Sequence, residues 1–237
     1  MIKRGIIETL RRFGVVATRF SSSPEGRIGG LLKTYGIEVV LDVGANIGQY
    51  AKMLRYELGY SGFIHSFEPM KAEFSELQRA ARGDPLWKVV NCGLGDAEAE
   101  MTINVAGNSA SSSLLPASAR LLSVAPQIAY VGKQKVHIRT LDTIYSELHL
   151  EGHRVYLKID AQGYESMILK GAQQSLQHIG TVQLEMALTP MYEGELLFDT
   201  YLPMMRGNGY NLVHIIPGFW DRTTGELLEV DGVFHRE

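Results

Sequence analysis

The sequence predicts an α/β fold in which a mostly parallel, seven-stranded sheet carries helices on both faces and ends in an antiparallel C-terminal strand. Three observations predict it. Short apolar runs at 38–42, 62–67, 87–92, 155–159, 180–185, 210–216 and 228–235 read as strands. Helix-like stretches at 48–58, 70–82 and 164–178 alternate with several of them, the mark of a parallel sheet covered on both sides. The last two runs are joined by Pro217-Gly218 and Thr224-Gly225 turn signals instead of a helical pattern, which makes them an antiparallel hairpin at one sheet edge.

Ahead of the sheet, residues 1–36 read as a helical segment and 37–237 as a single globular domain on which it packs. Ile2, Ile6, Leu10, Phe13, Ala17 and Phe20 fall on one helical face, with Arg4, Arg11, Arg12 and Arg19 elsewhere. The pattern predicts a helix docked on its own domain, with peripheral contact to an anionic membrane through residues 1–20 as the alternative. A loop at Ser21 to Pro24 and a second helix over 25–36, ended by Gly36, lead into the first strand. Two further strand-like stretches, 100–105 and 135–139, flank a Ser- and Pro-containing segment from 106 to 134. They form a small inserted β-hairpin, and the loop from Asn108 to Ser113 is either a cover for a site or a solvated loop.

A chain of 237 residues with 45% hydrophobic and 21% charged content supplies one substantial core. Its formal net charge of −3 argues against a broad basic surface for nucleic acid, so a small molecule is the expected partner. The lone Cys92 excludes an intrachain disulfide and a Cys-based zinc cluster, and reads as a small buried apolar residue in a reducing compartment. With no membrane-spanning apolar run and no cleavable signal pattern, the chain is expected in the cytoplasm.

Ligands of an open parallel sheet bind beyond the carboxyl ends of its strands. Here those ends are acidic: Asp42, Glu68, Asp160 and Glu185, with Asp96 shortly after the third strand. Carboxylates repel pyrophosphate and suit a ligand bearing an ammonium, a sulfonium and ribose hydroxyls, which describes S-adenosylmethionine. The turn Gly44-Ala45-Asn46-Ile47-Gly48 after Asp42 opens a helix whose amides are expected to meet the cofactor's carboxylate. Asn46 and Gln49 break the G-x-G-x-x-G fingerprint, and no triphosphate loop is present, so NAD and ATP fall behind. Glu68 is assigned to the ribose hydroxyls, with capping of the helix after Pro69 as the alternative. The cofactor set is Asp42, Gly44, Asn46, Gly48, Tyr50, Glu68, Gly93, Leu94 and Asp160.

The residues also resemble the FkbM-type methyltransferases from about Val39 to the C-terminus. The resemblance rests on Asp42 to Gly48, Phe67-Glu68-Pro69, Thr140-Leu141-Asp142, Lys158 to Glu165, Glu185, Pro190 to Gly194 and Val230 to Phe234. It implies a Rossmann-like class I methyltransferase fold and methyl transfer to a hydroxyl, often on a sugar or glycosylated natural product. Many members of that family carry an acid where this chain has Gln162, which cannot act as a base and is expected to orient substrate through its amide.

Methyl transfer to oxygen needs alignment of the acceptor with the methyl group and removal of the hydroxyl proton. Asp160, ending the fourth strand of the main sheet, is the first candidate for the base, with holding of the following turn as its structural alternative. Glu185 is a candidate for binding an acceptor hydroxyl, and Glu165 for substrate contact or for stabilising its helix N-terminus. Lys158 either pairs with a carboxylate or emerges at the sheet edge, and Tyr192 either stacks on a sugar or packs on its own strand. Thr140 and Asp142 read as helix caps. The histidines show no metal spacing, so no zinc is expected, and a magnesium ion between Asp160 and Glu185 is not required.

Two other functions compete with an S-adenosylmethionine-dependent O-methyltransferase. One is a nicotinamide-dependent oxidoreductase or epimerase, against which the broken glycine fingerprint counts; the other is a cofactor-binding protein without turnover. Asp160-Ala161-Gln162-Gly163 stands where base-specific amino methyltransferases of nucleic acid carry [DN]-P-P-[YF], which counts against that acceptor.

Overall fold

The computed structural model describes residues 4–16 and 18–237. Among the described residues ten strands follow one another: β1 (Val39–Val43), β2 (Phe63–Phe67), β3 (Trp87–Val90), β4 (Gly93–Leu94), β5 (Ala99–Ala106), β6 (Tyr130–Arg139), β7 (Val155–Ile159), β8 (Thr181–Ala187), β9 (Asn211–Pro217) and β10 (Glu229–His235). The helices are α1 (Arg4–Arg12), α2 (Pro24–Thr34), α3 (Gln49–Lys52), α4 (Lys71–Ala80), α5 (Ala119–Val124), α6 (Leu141–Glu147), α7 (Glu165–Lys170) and α8 (Phe198–Gly207).

Seven strands form the main sheet in the order β3-β2-β1-β7-β8-β10-β9. The pairs from β3 through β8 are parallel, while β10 runs antiparallel to both β8 and β9. The C-terminal strand is thus inserted inside the sheet and β9 forms the edge. All five residues of β1 and of β7 are buried, as expected of central strands covered on both faces. Val39, Leu41, Leu157 and Leu184 pack with Leu141, Ile168 and Tyr201 of α6, α7 and α8 on one face. Val40, Ile64, Tyr156 and Val233 pack with Ile28, Ala51 and Leu77 of α2, α3 and α4 on the other.

Two predicted helices are shorter than their patterns. The helix expected over 48–58 is α3 followed by a π-turn over Met53–Glu57. The one expected over 164–178 stops at Lys170 and resumes as a short 3-10 turn, Ser175–Gln177. Gly171, the residue that follows the helix, lies so close to the next layer that a Cβ there would fall 1.9 Å from the Gly95 carbonyl oxygen. The insertion forms a second sheet, β4-β6-β5, with β5 and β6 antiparallel. Of the amphipathic face read near the N-terminus, Leu10 is half-buried and Phe13 and Phe20 are exposed. Ile2, Ala17 and the Ile6 side chain lie outside the described residues.

Candidate active site

After β3 the chain crosses back over the sheet to place β7 on the other side of β1, so a crevice opens at the carboxyl ends of β1 and β7. A cavity of about 440 Å³ occupies it. Its wall includes Gly44, Asn46 and Tyr50 from the first turn, Glu68 and Met70 beyond β2, Gly93 and Leu94 of β4, and Asp160 and Gln162 beyond β7.

The turn after β1 is built for close approach. Gly44 has φ +74°, and a Cβ there would fall 1.8 Å from the Asp160 carbonyl oxygen, so only glycine lets the two strand ends meet. Asn46 and Gln162 also adopt left-handed backbone, at φ 48° and 56°, which is uncommon outside glycine and concentrates at functional sites. The expectation that the turn amides meet a ligand carboxylate is not met. Gly44 and Ala45 donate to the Phe67 carbonyl, Asn46 to Glu68 Oε2, Ile47 to Asn46 Oδ1 and Gly48 to the Ala45 carbonyl, so each N–H already has an acceptor. Gly48 does not line the cavity; it packs against Leu77 and Trp87.

Glu68 is buried at the cavity wall and makes the contacts of the capping role. Oε2 accepts from Asn46 N–H and Oε1 from Met70 N–H, each at 2.8 Å, which ties the first turn to the start of α4. Each oxygen keeps a second lone pair for a ligand hydroxyl. Burial raises its pKa to about 7 against the lowering effect of the two amides. Asp96, by contrast, is exposed and stands outside the cavity.

A polar row crosses the sheet beneath the cavity. Asp42 is fully buried and does not line the cavity; it accepts from Ser66 Oγ at 3.0 Å and lies 3.6 Å from Lys158 Nζ. Lys158 sits in the central strand β7, not at an edge, and its ammonium is 3.2 Å from Asp160 Oδ2. Burial pushes the Lys158 pKa down, but the charges of Asp160 and Asp42 outweigh it and leave the pKa raised. Burial likewise works against ionised Asp160. The Lys158 charge and a hydrogen bond from Gln162 prevail and hold its carboxyl below the usual range.

Gln162 joins the acidic residues. Its Nε2 donates to Asp160 Oδ1 at 2.9 Å and to Glu185 Oε2 at 2.8 Å, while its Oε1 accepts from the Tyr192 hydroxyl at 2.8 Å. Burial and then the neighbouring Asp160 charge drive the Glu185 pKa well above its ordinary value. Glu185 is outside the cavity wall and reaches the site through Gln162. Glu165 turns away from the cavity: its buried carboxylate accepts from the Ala161 and Gly163 amides at 2.7 and 3.3 Å. It fixes the turn that carries Gln162, which replaces the substrate contact read for it. Tyr192 is buried, so it neither stands in an exposed loop nor offers a stacking face.

The Asn108 to Ser113 loop does cover the site. Ser109, Ala110 and Ser112 line the cavity, Ser109 Oγ accepts from Asn46 Nδ2, and Ser113 Oγ donates to the Gln162 carbonyl. Thr140 caps α6 through the Thr143 amide, and Asp142 accepts from Gln174 and Ser175, both structural roles. Gln183 and Glu25 join the cavity wall although nothing in the sequence singled them out, and so does Asp231, which the sequence marked only as part of the Val230 to Phe234 motif and gave no role. The Tyr50 and Tyr156 hydroxyls donate to Gln183 Oε1, and Gln183 Nε2 donates to Asp231. The signal for Gln183 and Asp231 was only alternation within β8 and β10, which says which face they share and not what they meet. Among the described residues no group of three or more His, Cys, Asp or Glu is arranged to hold a metal.

The wall fits S-adenosylmethionine. Among the described residues that line it, Glu25, Glu68, Asp160 and Asp231 are acidic and Lys158 is the single cation, already engaged by Asp160. Such a wall favours a cationic ligand. Glu68 stands on the cavity wall, and Met70, Leu94, Ile138 and Tyr164 supply an apolar stretch of it.

Comparisons with known proteins agree. The Methyltransferase FkbM domain matches residues 42–212. An rRNA methylase from Streptococcus thermophilus is 9% identical with a TM-score of 0.50, over 94% of this chain and 99% of that one. A putative O-methyltransferase from Klebsiella pneumoniae is 11% identical with a TM-score of 0.50, over 98% and 88%. At such identities these two structures show the shared class I methyltransferase fold alone. No curated protein matches the chain. With the family match spanning most of the chain, from the end of β1 through the turn that carries Asp160 and Gln162 and on into β9, the chain belongs to the FkbM methyltransferase family and is an S-adenosylmethionine-dependent methyltransferase.

Proposed function

We propose that this enzyme methylates a hydroxyl oxygen of a small, hydroxyl-rich acceptor, a sugar or a glycosylated metabolite, in the cytoplasm. The observation that carries the reading is Asp160: a carboxylate kept ionised at the end of β7, on the cavity wall, by Lys158 and Gln162. Its neighbour Glu185 is shifted the opposite way, its pKa driven up by burial and by the Asp160 charge, so the two carboxyls are pushed apart in acidity. Ser109, Ser112, Gln162, Gln183 and Tyr50 give the wall hydrogen-bonding groups suited to a polyol.

When bound, S-adenosylmethionine supplies an electrophilic methyl group on a cationic sulfur. The chain's own work is to place an oxygen in line with it and take the hydroxyl proton. A strong base is not needed. As the acceptor oxygen gives up its lone pair it becomes acidic, so a carboxylate of ordinary or lowered pKa serves as proton acceptor late in the step. Asp160 is assigned that role, and Glu68 the ribose hydroxyls. Tyr50, Gly93 and Leu94 line the cavity around the cofactor, and Asp42 and Gly48 act from behind the wall, the one on Lys158 and the other on the path of the turn. Glu185 and Glu165 position Gln162 and its turn.

The test is mass spectrometry of a reaction holding isotopically labelled S-adenosylmethionine and extract of the source cell. A labelled methyl ether on a sugar-containing product is expected. Label on nitrogen, or on nucleic acid, would overturn the acceptor assignment.

A further inference from the structure

We propose that Arg11 to Val16, together with Arg19 and Phe20, form a docking surface for an anionic lipid membrane. Phe13, Val15, Val16 and Phe20 are 79, 48, 71 and 53% exposed, a run of large apolar side chains standing in solvent although the domain beside them has two full cores. Exposed apolar groups gathered in one segment mark an interaction surface, whereas single ones do not. Arg11, Arg12 and Arg19 are interleaved with them and exposed, and none forms an ion pair among the described residues.

Charge selects the occupant. The first 20 residues hold Lys3, Arg4, Arg11, Arg12 and Arg19 against the single acid Glu8, although the whole chain has a net charge of −3. The rest of the protein is therefore acidic and repels an anionic bilayer, and this segment is the part that such a surface attracts. Apolar insertion combined with basic attraction is the pairing that gives useful peripheral binding, since either one alone is weak. A second copy of the chain would bring the same arginines against one another.

The segment is fastened to the catalytic domain at its far end. Phe20–Ser22 forms a 3-10 turn on the start of α2, where Ser23 Oγ accepts from Gly26 N–H. The Phe20 carbonyl oxygen lies 1.9 Å from where a Gly26 Cβ would stand, so glycine there allows the two backbones to touch. Glu25, in that same first turn, lines the catalytic cavity. A membrane held by Phe13, Val15, Val16 and Phe20 would thus lie next in the chain to one wall of the site.

Co-sedimentation of the full chain tests this with vesicles of phosphatidylcholine alone and of equal parts phosphatidylcholine and phosphatidylglycerol. Pelleting with the anionic vesicles only, reversed by high salt, is expected. The triple variant Arg11→Gln, Arg12→Gln, Arg19→Gln should bind roughly 100-fold more weakly. The pair Phe13→Ser and Val16→Ser should also weaken binding while leaving the circular dichroism spectrum unchanged. No pelleting with phosphatidylglycerol, equal pelleting of wild type and both variants, or a protein dimer abolished by the Phe13 and Val16 changes would each overturn the proposal. Vesicle binding is read without any acceptor, so its failure would leave the methyltransferase assignment untouched.

Discussion

The Tyr192 hydroxyl donates to Gln162 Oε1 at 2.8 Å, and this one contact dictates which end of the Gln162 amide meets the acids. With the oxygen end occupied, the NH₂ end must face Asp160 and Glu185, donating to both. An amide with its orientation fixed in this way stabilises the ionised Asp160 without contributing a charge.

Gln162→Glu places a third carboxylate between the two and removes a donor from Asp160. The Asp160 pKa should rise, so the acidic limb of the pH–rate profile moves to higher pH. Tyr192→Phe leaves the amide free to turn, and kcat should fall about fivefold to tenfold, the worth of one buried hydrogen bond, with the KM for S-adenosylmethionine unchanged. A pH profile of Gln162→Glu that coincides with wild type would remove this role for the amide.

Asp160→Asn and Glu68→Gln should separate chemistry from binding. Loss of the proton acceptor should lower kcat by about 10²–10⁴-fold and leave cofactor affinity in calorimetry nearly intact. Glu68→Gln cannot accept from both Asn46 and Met70, and should weaken cofactor binding by roughly tenfold or more through misplacement of the turn. Matching losses of affinity in the two variants would contradict the assignment of separate roles.

Asp42→Ala should be mainly a stability variant. Its carboxylate is wholly buried against Ser66 and Lys158, and its removal leaves the ammonium partly uncompensated in the core. A loss of about 3 kcal/mol in chemical denaturation is expected. Unchanged stability with abolished cofactor binding would mean that Asp42 reaches the cofactor directly.

The protein should be more stable in mild acid than above neutrality. Burial is the leading cause that lifts Glu68 to about 7, Glu165 and Glu229 to about 8 and Asp231 to about 6, each above its unfolded value. Between the unfolded and folded pKa values the native state holds more protons than the unfolded one, so stability falls as pH rises through that window. The midpoint of thermal unfolding should therefore drop between about pH 5 and pH 8. A midpoint that climbs over this range would show that these acids are not buried as described.

Much of the architecture was legible in the sequence, because strand periodicity, helix alternation and the Gly turn after Asp42 are local signals. The seven strand runs, the hairpin at the end of the chain and the inserted β-hairpin follow from them. So does the acidic edge at Glu68 and Asp160, since residues that end parallel strands must gather on one side of a sheet. What each acid does was decided by neighbours far along the chain. Glu165 looked equally suited to substrate and to its own helix, and only the fold brings its carboxylate onto the Ala161 and Gly163 amides. Tyr192 could not be read as a partner of Gln162, nor Gln183 as the meeting point of Tyr50 and Tyr156, because those contacts join separate elements. The amides of the glycine turn looked free for a ligand and are spent on Phe67, Glu68 and the turn itself. Sequence thus determined which end of the sheet carries the site and that Glu68 and Asp160 stand there, through the short-range rules of strand and turn. Tertiary structure decided which of them are already satisfied and which still face the cavity, because burial and hydrogen bonding depend on packing between elements.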